Sequence, residues 1–253
     1  MPVGSDDAAR VVPVPALTHD EVAQMLRLMQ RHYQRVSAAS FRADLLAKDE
    51  ALLLHRAGRV VGFSTLTRTS ALVDGVSVTA FFSGDTVVER EARGAAPLLR
   101  VWGDTVFTRA AHIRAADPGR RVYWLLISAG YATYRFLPLF FHAYLPALGR
   151  EVPAFERRVA HELARARFGE RFDADRGVVE LAHPTPLRPG VADPAQRASD
   201  PHVAHFLRLN PGHAHGDELV CLTELDPGNL TRAGRRALGL RTPPQRSGET
   251  TRG

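Results

Sequence analysis

The sequence predicts an α+β (α/β) fold in which a mixed central sheet is flanked by helices, and three observations support it. Between residues 50 and 89, apolar runs separated by Gly58 and by Asp74-Gly75 predict three antiparallel strands. A long amphipathic helix follows and ends at Asp117-Pro118-Gly119. Residues 121–128, RVYWLLIS, then form a strand that is apolar on both faces, as a central parallel strand should be.

The N-terminal elements precede this region. Residues 11–17 are predicted to form a short edge strand, because they contain prolines. Thr18 with Glu21 three residues later is a capping-box pattern and predicts the start of a first helix. A second short helix is expected to begin with Ser40 as its N-cap.

The C-terminal part adds further helices and strands. Helices are predicted over residues 133–147, 151–170, 201–210 and 230–239, and strands over 177–182 and 217–225. We expect disordered ends at residues 1–10 and 241–253, with a single domain between them. That domain, residues 11–240, is divided into a core, 11–147, and a C-terminal extension, 148–240.

The amino-acid composition limits the classes of partner and function that we expect for the protein. The chain has 253 residues, 45% hydrophobic and 24% charged, and its net charge of +6 could favour an anionic ligand. Its basic residues are scattered arginines plus one lysine, Lys48, so nucleic acid is not an expected partner. No apolar run approaches the roughly 20 residues of a membrane helix, and we expect no membrane association and a cytoplasmic, bacterial protein.

Asp85 is the most informative single residue. In residues 81–89, FFSGDTVVE, a period of two places Ser83, Asp85 and Val87 on one face of a strand. An acid within an apolar strand is costly unless it is paired or useful, which makes Asp85 a candidate for catalysis. The alternative is a turn or bulge at Ser83-Gly84-Asp85 in which the carboxylate caps local amides.

Other reactive groups are weaker candidates. His213, His215 and Asp217 could ligate a metal, but a Pro/Gly-rich loop does not preorganise them, so surface histidines and no metal site are expected. Cys221 lies in an apolar strand and is expected to be inert. Motifs of the common serine hydrolases, phosphate-loop NTPases and dinucleotide-binding dehydrogenases are missing from the sequence.

The order of predicted elements resembles that of the GCN5-related N-acetyltransferase (GNAT) superfamily over residues 11–147, with residues 178–225 supplying the final strands. In that family the pattern Gln/Arg-x-x-Gly-x-Gly/Ala follows the fourth strand. One register begins at Glu91 and places Gly94 and Ala96 at the small positions. A second register begins at Arg93 and places Ala96 and Leu98 there.

The resemblance implies acetyl-CoA or another acyl-CoA as co-substrate. Free N–H groups at a helix N-terminus suit a pyrophosphate, and small residues allow the backbone to approach it. The residues implied in this role are Arg93, Gly94, Ala95 and Ala96. The backbone of Thr86, Val87 and Val88, at the end of the fourth strand, would bind the pantetheine arm.

The same resemblance implies catalytic roles in acyl transfer to an amine of a small molecule or a protein. Asp85 or Glu89 would act as general base, and Tyr134 would protonate the departing thiolate. Two alternatives remain open. One is a GNAT-like module that binds or assembles without catalysis, and the other is a different enzyme on this fold that uses the histidine-rich loop 202–218.

Overall fold

The computed structural model describes residues 7–92, 96–181, 184–191 and 194–240. In these ranges the strands belong to one mixed sheet with the order β1-β2-β3-β4-β5-β8-β7-β6. The strands are β1 (Asp7–Pro13), β2 (Glu50–Arg56), β3 (Arg59–Val73), β4 (Val76–Val88), β5 (Arg121–Ser128), β6 (Phe172–Asp173), β7 (Val178–Val179) and β8 (Glu218–Glu224). Neighbours pair antiparallel except β4 and β5, which are parallel.

Helices cover both faces of the sheet, which confirms the predicted α+β class. They are α1 (His19–His32), α2 (Ala38–Leu46), α3 (Ala96–Ala116), α4 (Tyr131–Tyr134), α5 (Phe136–Phe140), α6 (Ala154–Phe168), α7 (Pro201–Leu209) and α8 (Arg232–Leu238). None of the helices described has the length and apolar character needed to cross a bilayer.

Three apolar clusters form the core. The face of the sheet that carries α3 also packs α4, α5, α7 and α8, around Trp102, Trp124 and Phe206. The opposite face is covered by α6 on one half and by α1 and α2 on the other. Because β8 follows β5 in the sheet, the C-terminal extension supplies the final strands, as the sequence predicted.

Several boundaries differ from the sequence predictions. β1 begins at Asp7, within the segment expected to be disordered, because its residues pair with β2. The capping box of α1 is present, whereas α2 is capped by Ser37 rather than Ser40, whose N–H donates to the Ser37 hydroxyl at 3.0 Å. The strand expected over 177–182 is limited to Val178–Val179.

The prediction of a single helix over residues 133–147 is wrong. Two short helices, α4 and α5, occupy its first half, and extended backbone follows them. Phe141 bridges to Leu230 and Leu145 bridges to Leu222, so the second half bonds to the C-terminal segment instead of continuing a helix. These tertiary bonds could not be read from local spacing.

Candidate functional site

A gap opens between β4 and β5 at one end of the sheet. The two strands pair in parallel from Val78 with Arg121 to Ser83 with Leu126. Beyond this point β4 continues to Val88, bonded to β3 on its other side, whereas β5 ends at Ser128. The edge of β4 from Gly84 to Val88 therefore has no described strand partner on the β5 side, and Thr86, Val87 and Val88 lie along it.

A bulge in β4 decides which way Asp85 faces. The register with β3 shifts between Ser64 and Leu66, so Gly84 and Asp85 lie opposite the single residue Thr65. Ser83 faces α3, where its hydroxyl accepts from the indoles of Trp102 and Trp124. Asp85 interacts with the acid and lysine of the α2 segment on the other face.

The sequence-based placement of Ser83, Asp85 and Val87 on one face is therefore wrong. Val87 belongs to the apolar cluster under α1 and α2, on the face opposite Ser83. The bulge interpretation of Ser83-Gly84-Asp85 describes the backbone correctly. The carboxyl of Asp85 accepts a hydrogen bond from its own backbone amide, and it also interacts with Asp44 and Lys48 of another element.

Four elements bring titratable groups together around Asp85, and we call these residues the carboxyl cluster. α2 supplies Asp44, Lys48 follows it, and β8 supplies Glu218 at its first residue. Tyr33, directly after α1, is influenced by the charges of Glu218 and Asp85. Lys48 is buried, and its Nζ donates to Asp44 Oδ2 at 2.5 Å and to the Asp44 carbonyl oxygen at 3.3 Å.

The surroundings of Asp85 disfavour its charged form. Burial and then the nearby Asp44 carboxyl, opposed by Lys48, raise the pKa of Asp85 to about 7. Burial and the charges of Asp85 and Asp44 raise the pKa of Glu218 to about 8. Groups that titrate near neutral pH can accept a proton during a reaction and release it afterwards. This electrostatic arrangement suits a general base.

Glu218 and Lys48 were not among the predicted site residues. Glu218 reaches the cluster because β8 runs antiparallel to β5 and begins where β5 ends. The sequence signals are weak: Glu218 stands beside the histidine-rich loop, and Lys48 is the only lysine of the chain. Without the strand order, neither signal connects these residues to Asp85.

Glu89 lies outside the carboxyl cluster. Its carboxylate forms an ion pair with Arg31 and lies 3.9 Å from Arg59 Nη2. Its backbone N–H donates to the Val61 carbonyl oxygen at 2.8 Å. Both guanidinium groups hold Glu89 in a surface ion-pair network, so Asp85 is the better placed of the two predicted bases.

Tyr134 is fully buried on α4, beside the rings of His205 and Phe206. Its hydroxyl donates to the Pro146 carbonyl oxygen at 2.8 Å. Burial raises the pKa of Tyr134 and keeps the hydroxyl protonated. The predicted proton donor is thus available in its acid form, with its hydrogen bond directed at the backbone.

The predicted phosphate-binding turn connects β4 to α3. Ala96 is the first residue of α3, whereas Arg93, Gly94 and Ala95 lie outside the described residues. A cleft of about 550 Å³ adjoins this turn. It is lined by Arg31, His32, Glu89, Arg90, Glu91, Pro189, Gly190 and Val191.

The histidine-rich loop makes internal contacts. His213 Nδ1 lies 3.0 Å from the Asn210 carbonyl oxygen, and Asp217 pairs with Arg176 at 3.1 Å. No group of three metal-ligating side chains occurs among the described residues. Cys221 is buried, and burial raises the pKa of its thiol, which disfavours the reactive thiolate.

Comparison with solved structures finds acetyltransferases among the similar chains. The chain resembles GCN5-related acetyltransferases. A probable N-acyltransferase from Enterococcus faecalis V583 matches with a TM-score of 0.39 and 14% identity, over 54% of this chain and 33% of that protein. The GNAT family N-acetyltransferase YhbS from Escherichia coli, in complex with CoA, matches with 0.36 and 15%, over 53% and 68%.

A third similar structure covers more of the chain. The GCN5-related N-acetyltransferase from Kribbella flavida matches with a TM-score of 0.38 and 16% identity, over 88% of this chain and 65% of that protein. The chain spans only a third of the Enterococcus protein. No protein-family model matches the sequence, and the search of curated proteins found no match.

Proposed function

We propose that the protein is an acyl-CoA-dependent N-acyltransferase, and that it transfers an acyl group, such as acetyl, to an amine. The observation that carries this proposal is the gap between β4 and β5 with Asp85 beside it. The edge of β4 that has no described strand partner lies within a few residues of Asp85, whose pKa is raised to about 7. Such a site can bind an extended amide-containing arm and accept a proton next to it.

The residues fit acyl-CoA as the donor. The edge of β4 that has no described strand partner presents backbone N–H and C=O groups, and these would bind the amides of the pantetheine arm along Thr86, Val87 and Val88. The N-terminus of α3 at Ala96, with the preceding Arg93, Gly94 and Ala95, would hold the phosphates. The thioester supplies an activated acyl group when bound.

Asp85 would accept the proton that the acceptor ammonium must lose before its nitrogen can attack. The raised pKa of about 7 lets the carboxylate receive this proton near neutral pH. Tyr134 remains the proposed proton donor to the departing thiolate, and its hydroxyl would have to leave the Pro146 carbonyl oxygen. Holding donor and acceptor together would supply much of the rate.

The first test is binding of acetyl-CoA, followed by turnover of Asp85→Asn. Acetyl-CoA at 100 times its Kd should add about 2.7 kcal/mol of stability, seen as a higher Tm in thermal unfolding. Asp85→Asn should keep this shift but lower kcat about 100-fold or more, since general bases contribute roughly that much. The wild-type rate should rise with pH through about 7, because Asp85 must be ionised to act.

Glu89→Gln is the matched control, since it removes a carboxylate from the same strand end but outside the carboxyl cluster. It should retain more than half of the wild-type kcat. Equal losses in both variants would contradict the role of Asp85. If no acyl-CoA raises the Tm, acyl-CoA is refuted as the donor. That result would favour a binding or assembly module.

A further inference from the structure

A second cleft, of about 660 Å³, opens on the face of the sheet that carries α3, and we call it the α3 cleft. The C-terminal half of α3 lines one side of it with Arg109, His112 and Ile113. The strands β1 to β4, together with the residue before β2, line the other side. Its volume falls within the range of about 300–1,000 Å³ that ligand pockets have.

The α3 cleft is separate from the proposed acyl-transfer site. It reaches β4 at Phe81, two residues before Ser83, and no residue of the β4 edge from Gly84 to Val88 lines it. The predicted phosphate-binding turn lies at the opposite end of α3. A molecule in this cleft would therefore be a third ligand, beside the acyl donor and the acceptor.

The floor of the α3 cleft is apolar. Leu66 of β3 and Phe81 of β4 line it, and each is only 1% exposed. Ile113 of α3 is half-buried against the same apolar cluster. A surface of this kind favours contact with an apolar group of a ligand.

One wall of the α3 cleft is an ion pair that satisfies its own charges. Arg109 Nη2 donates to Glu50 Oε1 at 2.7 Å, and Arg109 Nη1 donates to Glu50 Oε2. The hydrogen bond to Glu50 raises the pKa of Arg109. This bidentate pair joins α3 to β2, and neither of its charges needs a ligand.

Arg68 and Asp49, on the exposed rim of the cleft, carry charges that are not matched in this way. Asp49 Oδ2 accepts from the backbone N–H of Arg68 at 2.7 Å, which holds the two residues side by side. Among the described residues, the guanidinium of Arg68 has no ion-pair or hydrogen-bond partner, and the carboxylate of Asp49 has no ion-pair partner. Asp49 acts on Arg109 through its charge without contacting it. One cation and one anion therefore stand next to each other beside an apolar floor.

We propose that the α3 cleft binds a free α-amino acid with a large apolar side chain. Its carboxylate pairs with Arg68, its ammonium pairs with Asp49, and its side chain lies on Leu66 and Phe81. A zwitterion matches both charges of the rim, whereas a simple acid or a simple amine leaves one of them unmatched. Because exposed ion pairs contribute little, the apolar side chain supplies most of the affinity. The inference does not depend on acyl transfer.

Calorimetry with L-phenylalanine, in the absence of acyl-CoA, tests this site. Wild type should bind L-phenylalanine at least tenfold more tightly than glycine, because glycine has no side chain to bury. It should also prefer L-phenylalanine about fivefold over hydrocinnamate, which lacks the ammonium, and over phenethylamine, which lacks the carboxylate.

Two variants assign the charges. Arg68→Gln should weaken the binding of L-phenylalanine about fivefold and leave phenethylamine unchanged. Asp49→Asn should weaken it about as much and leave hydrocinnamate unchanged. The asparagine oxygen can still accept from the Arg68 N–H, so the turn is preserved. Arg42→Gln, at an exposed position of α2 on the opposite face of the sheet, is the matched control and should bind as wild type.

Three results would overturn the inference. The first is no heat of binding with L-phenylalanine at about 10 mM, a concentration that reveals even weak sites. The second is binding of hydrocinnamate or phenethylamine as tight as that of L-phenylalanine. The third is an equal effect of Arg68→Gln and Arg42→Gln, which would place the amino acid elsewhere. Failure of acyl-CoA to bind would refute the transferase and leave these measurements unaffected.

Discussion

At the scale of single residues, Gly84 shows how closely the side chains beside the β4 bulge are packed. Its missing side chain leaves room for Lys48 on one side and for the Thr65 hydroxyl on the other. Lys48 has little freedom to move away, since its side chain is 2% exposed and its ammonium is bonded to Asp44. Glycine is required here by space rather than by a positive φ angle.

Gly84→Ala should therefore destabilise the protein and disturb the site. The added methyl group would lie under 3.0 Å from two neighbours, and such overpacking costs about 1–3 kcal/mol. Urea unfolding measures this loss. Gly119→Ala is the control, because the nearest atom there is 3.6 Å from the new Cβ. Equal stability of both variants would show that Lys48 moves without cost.

Asp85 could be proposed as a site residue from the sequence, because an acid in an apolar strand is unusual in any structure. Its direction could not, because a bulge depends on the pairing of β4 with β3. Glu218 and Lys48 were not predicted for a related reason: the strand order brings β8 near β4, and the packing of α2 on the sheet brings Lys48 there. The local sequence therefore indicated the chemistry of each residue, but not which residues would surround it in the folded protein.

At the scale of elements, Ser83 fixes the point at which β4 and β5 separate. It is the last β4 residue paired with β5, and its buried hydroxyl accepts from Trp124 Nε1 at 2.9 Å and from Trp102 Nε1 at 3.3 Å. One indole belongs to β5 and the other to α3. A single oxygen therefore connects the three elements that border the gap.

Ser83→Ala should lower the free energy of unfolding by about 2 kcal/mol, because two buried indole N–H groups lose their acceptor. Tryptophan fluorescence during urea unfolding reports both the stability and the indole environment. Ser199→Ala, at an exposed position outside the sheet, should change stability by less than about 0.5 kcal/mol. Similar losses in the two variants would refute the connecting role.

The strands and long helices were predictable because their patterns are local, and the capping box of α1 is an example. The segment after α4 was not, because its backbone bonds to residues some 80 positions away, such as Leu145 with Leu222. Pro138 alone could indicate a kink but not this pairing.

At the scale of the whole molecule, the carboxyl cluster couples stability to pH. The pKa values of Asp85 and Glu218 are raised in the folded protein, to about 7 and about 8. Between about pH 4 and pH 8 the folded state therefore holds more protons than the unfolded state. Stability from these groups is present at low pH and is lost as the pH rises. Asp44, Lys48 and Tyr33 face them from neighbouring elements.

Glu218→Gln should consequently gain stability relative to wild type as the pH increases. The Tm difference between the variant and wild type should be more positive at about pH 8.5 than at about pH 5, because glutamine carries no charge to bury. Thermal unfolding by circular dichroism measures it. The difference for Glu170→Gln, which removes the same charge at an exposed position, should not vary with pH, and a flat difference for Glu218→Gln would contradict the raised pKa.

The position of β8 beside β5 also has a consequence for biosynthesis. Strands β1 to β5 have all been translated once Ser128 has been added. The edge of β5 that pairs with β8, however, has no partner until translation reaches Glu224. During that interval the nascent chain exposes an unpaired strand edge, which is a template for association between copies. We expect that ribosome-bound chains stopped before Pro201 would need chaperone protection that the finished protein does not.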